Sequence, residues 1–319
     1  MGPQPTSLTV KVPATTANLG PGFDTLGLAL SLYDELTVTT REAPGASVEV
    51  HGVGEGEVPT DETNLVVRTI AGIFERVSRP MPGLHLVAKN AIPHGRGLGS
   101  SGAAIVAGIM AAKGLLEGDV EFDPQTLLKI ATELEGHPDN VAPALFGGLT
   151  IAWTTEDGPA YKKLIVHRGV SPLIAVPEHT MSTEVARGLR PASVPHEDAI
   201  FNVSRSALLV AALVQSPELL FAATEDRLHQ SYRAAAMPDT EALLAELRAA
   251  GHAAVVSGSG PSILVLSSDP AQRLEAAELI AARRGSLWQT LMLAVDFKGA
   301  TVSTRPVEPN DQFGNSRIA

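Results

Sequence analysis

Chemistry is concentrated in a few short stretches of this chain, beginning with Pro93-His94-Gly95-Arg96-Gly97-Leu98-Gly99-Ser100-Ser101-Gly102-Ala103-Ala104. Glycine lets a backbone take positive φ and approach a ligand closely. A helix that begins at the serines would add unpaired N–H groups and the positive end of its dipole. The stretch therefore reads as a phosphate cradle, with Ser100 and Ser101 as helix caps whose hydroxyls can also reach a phosphate or a metal ion. Two other phosphate loops fit less well. The P-loop needs a lysine before its Ser or Thr, and here Ser100 follows Gly99 directly. Gly97, Gly99 and Gly102 satisfy a dinucleotide G-x-G-x-x-G pattern. However, Ile92 to Arg96 separates them from the preceding strand, and no strand-ending acid follows at the right distance. A ligand-free strand-to-helix turn would explain one or two glycines, and explains four glycines with two serines poorly.

Other polar loops accompany it. Pro13 to Asp24 contains Asn18 and Asp24; Glu135 to Pro143 contains His137, Asp139 and Asn140; Ser257-Gly258-Ser259-Gly260-Pro261-Ser262 is a second glycine-rich turn. Each has a bland reading. Asn18 and Asp24 stabilise turns through their own backbone, Glu135 is an acid at a helix end, and a single arginine such as Arg187 or Arg233 ordinarily solubilises a surface. The nine histidines include no H-x-x-x-H pair, and His137 beside Pro138 reads as a loop-ordering residue.

The elements that must hold these loops follow from periodicity. Residues 6–12 alternate as a half-buried strand, 13–24 is a loop, and 26–32, 34–40 and 48–50 continue strand-rich. Residues 64–77 have helical spacing, 84–88 is the strand before the cradle, and the small-residue run 103–112 is the helix after it. Asp123 and Pro124 start a helix that ends at Glu135. Residues 136–143 read as a loop, and 145–153 as a strand. From about residue 165 the order becomes strand 171–176, helices 181–189, 202–213, 217–223 and 240–250, strands 253–256 and 263–266, helix 270–284 and strand 290–297. This β-α-β-β-α-β order resembles a ferredoxin-like sandwich. The division expected is residues 1–164, residues 165–303 and a polar tail, 304–319.

Composition narrows the partners. Of 319 residues, 44% are hydrophobic and 18% charged, as in globular proteins, and the net charge of −11 disfavours nucleic acid. No apolar run is long enough to span a membrane, no secretory signal is visible at residues 1–5, and the absence of cysteine excludes thiolate metal sites and fits a cytoplasmic protein. An anionic ligand must be met by local donors rather than by the global field.

Pro13 to Asp24, Pro93 to Ala104 and Ser257 to Ser262 resemble, in order and spacing, motifs of the GHMP kinase superfamily, which phosphorylates galactose, homoserine, mevalonate and phosphomevalonate. Glu135 to Pro143 and Ser182 to Pro191 look like its homoserine kinase branch, and the likeness runs from about residue 8 to 303. It implies an α+β, two-domain GHMP-kinase fold, with a ribosomal-S5-like N-terminal domain that binds ATP and a ferredoxin-like C-terminal α/β sandwich. It implies ATP-dependent phosphorylation of an amino-acid hydroxyl, on the route to threonine, by a homodimer. ATP would lie on Pro93, His94, Gly95, Arg96, Gly97, Leu98, Gly99, Ser100, Ser101, Gly102 and Ala103; Mg²⁺ would lie on Ser101 and Glu135. Asn18, Asp24, Asn140, Arg187 and Arg233 would bind the substrate, and Asn140 and Arg187 would be the catalytic residues. Arginine suits the substrate carboxylate and Asp24 its ammonium. Asn140 stands where several relatives have an aspartate base, and an amide takes no proton at pH 7. The adenine would sit on the segment before the cradle and on residues around 60–70, and the second glycine turn would brace the first. The rivals are a sister kinase for mevalonate and a non-catalytic ligand sensor.

Overall fold

Alternating burial in β1 (Thr6–Ala17) puts Leu8, Val10 and Val12 inward while Lys11 faces out. In this computed structural model, which describes residues 6–283 and 287–306, β1 pairs antiparallel with the sixteen-residue β2 (Leu26–Arg41). Their register shifts between Pro13 and Ala14. This is where the sequence suggests a loop, because proline donates no ladder bond. The strand instead absorbs the proline at the irregularity and runs on to Ala17, carrying Thr15 and Thr16 to the site.

β3 (Ala46–Gly52) and β4 (Gly83–Asn90) are parallel, linked through α1 (Leu65–Arg76). Asn64 caps α1 by accepting from Val66 N–H at 2.9 Å, and Val67, Ile70, Ile73 and Phe74 form its inner face. Next come α2 (Ser100–Leu115), α3 (Pro124–Glu135), α4 (Pro138–Phe146), and the hairpin β5 (Leu149–Thr155) and β6 (Gly158–Leu164). β5 pairs with the first residues of β2, beside the sheet order β3-β4-β2-β1.

The helix α4 replaces an expected loop. Pro138 occupies its first position, where no amide donor is needed. Pro143, inside it, leaves the Asp139 carbonyl without its helical donor. Gly27 of β2 packs there so closely that a Cβ would lie 2.0 Å from that oxygen. Helix breakers are thus accommodated by packing against the sheet, and the strand expected from residue 145 begins at Leu149.

The second half contains β7 (Ser171–Pro177), α5 (Thr183–Gly188), α6 (His196–Val214), α7 (Leu220–Ala223), α8 (Gln230–Arg233), α9 (Pro238–Ala249), β8 (Ala253–Val256), β9 (Ile263–Ser267), α10 (Pro270–Ala282) and β10 (Trp288–Met292). Its antiparallel sheet has the order β10-β7-β9-β8, the ferredoxin-like arrangement. Leu173, Ala175, Val256 and Val265 face Leu243, Leu247 and Ile280 of α9 and α10. Ile174, Val255 and Leu264 face Leu209 and Leu213 of α6, in a core continuous with the first sheet. Both faces are covered, which is why these strands read as unbroken apolar runs.

β10 ends at Met292, short of the expected 297, and the chain returns to the first sheet as β11 (Thr301–Pro306), opposite β1. Thr304, expected in a loosely held tail, pairs with Leu8. The backbone groups on the edge of β1 need partners, and β11 supplies them. Residues 1–5, 284–286 and 307–319, which include the expected helix end at Arg284 and most of the expected tail, lie outside the described residues. Among the described residues, no helix is long and apolar enough to cross a membrane.

Candidate active site

The cradle is built by close approach of three segments. Gly95, Gly97 and Gly99 have φ of +62°, +71° and +69°, and Gly99 is the residue that precedes α2. No side chain caps α2. The capping expected of Ser100 and Ser101 is not made because both already lie in the first turn; Ser101 Oγ donates to Glu135 Oε2 instead, at 2.9 Å. The first-turn amides thus stay open to a ligand, with the dipole behind them. Ser257 Oγ donates to the Gly97 carbonyl at 2.7 Å, and Thr15 N–H to the Leu98 carbonyl at 3.1 Å. The second glycine turn is therefore a brace.

A Cβ on Gly97 would lie 2.1 Å from the Ser257 carbonyl. Gly97→Ala is expected to displace the loop and lower kcat/KM about 10²-fold, the usual effect of ångström-scale misplacement. Gly118→Ala is the control: φ there is +88° but a Cβ meets nothing within 4 Å. It should stay within about twofold of the parent chain, because it carries backbone strain alone. Steady-state ADP release checks both.

Two cavities meet at Ser100 and Ser101, which line each of them. One, of ≈ 270 Å³, is apolar, with Leu36, Val48, Val50, Leu65, Val66 and Leu86 in its walls. It lies where the sequence places the adenine. The other, of ≈ 150 Å³, is lined by Asn18, Asp24, Glu135, Asn140, Arg187 and Arg233, among others.

Each polar side chain has a traceable support. Asn18, at φ +71°, donates to the Gly258 carbonyl at 2.8 Å and accepts from Asp24 N–H at 2.9 Å. Its turn role is thus real, and it holds Asp24 at the cavity. Asp24 accepts from Arg187 through Oδ1 and from Arg190 through Oδ2, both at 3.3 Å. Arg233 is 2% exposed; its Nη1 donates to the Gly258 carbonyl at 3.2 Å and to His229 Nδ1 at 3.3 Å. His229 donates from Nε2 to the Gly20 carbonyl at 2.8 Å, so one tautomer satisfies both contacts. Burial lowers the His229 pKa, with the Asp226 charge opposing, and keeps the ring neutral beside the guanidinium. Arg233 Nε is buried with no hydrogen-bond partner among the described residues.

Glu135 is the last residue of α3, at the unfavourable end of the dipole. Burial raises its pKa, opposed by the Ser101 hydrogen bond and the charges of His137 and Arg187. Asn140 Oδ1 accepts from Thr15 Oγ1 at 2.9 Å. Asp139, 2% exposed, lies 2.5 Å from His137 Nδ1. Burial pulls the His137 pKa down, but the hydrogen bond and charge of Asp139 outweigh it and leave it raised. Asp139 is thus engaged with His137, and Asp139→Asn should retain kcat within about tenfold, as expected for a residue that does not act as the base. A collapse of kcat with KM unchanged would make it the base instead.

The GHMP kinases N terminal domain family matches residues 64–148, and the GHMP kinases C terminal family matches residues 208–284. A homoserine kinase of Leifsonia xyli subsp. xyli is 74% identical over 93% of this chain and 92% of its own. The chain belongs to the GHMP kinase family. Among solved structures, a homoserine kinase from Cytophaga hutchinsonii superposes with a TM-score of 0.82 at 28% identity, covering 93% of this chain and 97% of that one. A putative homoserine kinase from Listeria monocytogenes gives a TM-score of 0.76 at 32% identity, covering 93% and 99%.

Within this GHMP kinase the expected site residues come together unevenly. Gly95, Gly97, Gly99, Ser100 and Ser101 line the polar cavity; His94, Ala103 and Ala104 line the apolar one. Leu98 is a core residue at 1% exposure, and Gly102 packs on Val141. Pro93 and Arg96 line a separate recess with Pro177 and Trp288. Sequence reasoning overlooked Arg190, although it lies one helical turn beyond Arg187 in the same Ser182 to Pro191 stretch. It also overlooked His229, four residues before Arg233, where i,i+4 spacing places two side chains together.

Proposed function

We propose that this chain transfers the γ-phosphoryl group of ATP to the side-chain hydroxyl of L-homoserine, giving O-phospho-L-homoserine on the route to threonine. One observation carries the reading: the open amide end of α2 adjoins a small cavity holding both a carboxylate and guanidinium groups, which matches a zwitterion. Arg187 and Arg233, both in the cavity wall, suit the substrate carboxylate, and Asp24 its ammonium. Mevalonate, which has no ammonium, leaves Asp24 without a ligand partner.

The Ser101 hydroxyl and Glu135 carboxylate, 2.9 Å apart, offer hard oxygens beside the phosphate loop. Two such ligands fit Mg²⁺, which keeps several of its waters. Bound there, the ion would neutralise charge on the phosphoryl oxygens. The chain's own residues supply positioning: α2 amides at the phosphates, Asn140 at the hydroxyl, and arginines at the far end of the substrate. Transfer through a loose transition state depends on such positioning and charge neutralisation more than on a strong base.

The test is ADP release with homoserine, threonine, serine and mevalonate. Homoserine should give the highest kcat/KM; turnover of mevalonate without turnover of homoserine would overturn the substrate assignment.

A further inference from the structure

Arg96 lies in the middle of the phosphate loop, yet its guanidinium hydrogen-bonds carbonyls. Nε donates to the Pro177 carbonyl at 2.8 Å, Nη1 to the His94 carbonyl at 3.1 Å, and Nη2 to the Glu178 carbonyl. It lines the recess with Pro93 and Trp288, while the walls of the polar cavity are Gly95, Gly97 and Gly99 of the same loop. A second tie runs parallel to it, because Met181 N–H donates to the Gly95 carbonyl at 2.9 Å. Residues 177–181 are therefore fastened to the loop at both ends.

The substrate side of the site begins directly after that segment. Ser182 Oγ accepts from Val185 N–H at 3.1 Å and starts α5, whose last turn carries Arg187 to Asp24. α5 has only six residues, and among its described side chains Ala186 is fully buried while Glu184 and Val185 are exposed. With so little packing of its own, its position depends on how its N-terminal end is held. We infer that Arg96 is a positioning residue, which couples the phosphate loop to the substrate arginine so that nucleotide and amino acid each strengthen the binding of the other. Filling the loop fixes the Arg96 guanidinium and the Gly95 carbonyl, which hold the Pro177 and Glu178 carbonyls and Met181 N–H, and this fixes Ser182 and thereby Arg187. By linkage the effect is reciprocal. The inference rests on the homoserine reading.

The experiment is calorimetric titration of the full chain with L-homoserine, with and without saturating Mg²⁺ and a non-hydrolysable ATP analogue, and with the analogue alone. The parent chain should bind homoserine at least about fivefold more tightly with nucleotide present, within the usual range of coupling. In Arg96→Gln that factor should fall below about twofold, with the analogue's own Kd changed by less than about threefold. Arg96→Lys, whose ammonium cannot span three carbonyls as a planar fork does, should also lose most of the coupling; it serves as the second variant if the glutamine form does not fold. Undiminished coupling in the variants, no coupling in the parent chain, or a tenfold weaker analogue Kd would each overturn the proposal, the last by making Arg96 a phosphate ligand. A parent chain that binds the analogue but not homoserine would overturn the substrate reading, and the proposal with it.

Discussion

Glu135→Gln is expected to lower kcat/KM by about 10²–10³-fold, the scale for removing one group that stabilises developing transition-state charge, without weakening the fold. The two halves of that result have one cause. The Glu135 carboxylate is half-buried, sits at the C-terminal end of α3, and has its pKa raised chiefly by burial. A raised carboxyl pKa means the folded state binds the proton more tightly than the unfolded one. The ionised form therefore costs stability at neutral pH, and that cost disappears as pH falls through the folded pKa. Glutamine is neutral at every pH and can still accept from Ser101. The variant's thermal midpoint without Mg²⁺ at pH 7.5 should equal or exceed the parent's, and the difference should vanish in acid. The acid limb of the parent's kcat/KM profile should lie above the ordinary glutamate range and shift to lower pH as Mg²⁺ rises, because metal and proton compete for one carboxylate. A variant that loses both activity and midpoint would make Glu135 a structural residue, and would remove the metal assignment.

The sequence carries this site unevenly, and the reasons are physical. Gly95, Gly97 and Gly99 were legible because glycine takes positive φ readily and leaves room for close approach: a Cβ would press on the Thr180 side chain at Gly95, the Ser257 carbonyl at Gly97 and Thr15 Oγ1 at Gly99. Asn18 and Asp24 were legible as turn formers, and the Asn18 side chain both accepts from Asp24 N–H and reaches across to the Gly258 carbonyl. Residues 138–146 were misread because two prolines argue locally against a helix. What decided the matter was a contact with Gly27 more than a hundred residues earlier. The pairing of β11 with β1 joins the two ends of the described chain, and no local pattern announces a partner so distant. Arg96 has surroundings that its local sequence does not announce. Its place in the glycine-rich loop suggests a ligand contact, and the fold shows three carbonyls around its guanidinium.

Arg187→Met should lower kcat/KM for homoserine by about 10²–10³-fold, as expected when one partner of a charge-assisted pair is removed from a partly buried site. The loss should appear mainly in KM if, as proposed, Arg187 binds the substrate carboxylate, remote from the transferred phosphoryl; a loss mainly in kcat would return to Arg187 the catalytic part that the resemblance implies. Selectivity is the sharper readout. The parent chain should strongly prefer homoserine to 2-amino-1,4-butanediol, the analogue with an alcohol in place of the carboxylate, because two guanidiniums would then lack their anion. Methionine at 187 removes one of them and should shrink that preference at least tenfold, while Arg233, held by His229 and Gly258, keeps the remainder. Asp24 complicates the free enzyme in an informative way. It pairs with Arg187 and Arg190 together, so the cavity without ligand already contains an ion pair that must loosen when a zwitterion enters. In the proposed complex a substrate carboxylate would replace Asp24 at Arg187, and a substrate ammonium would replace Arg187 at Asp24. Homoserine supplies both replacements and the diol only one. Unchanged discrimination in Arg187→Met would mean that Arg187 serves Asp24 alone, and that the carboxylate is held by Arg233 and the backbone around Gly258.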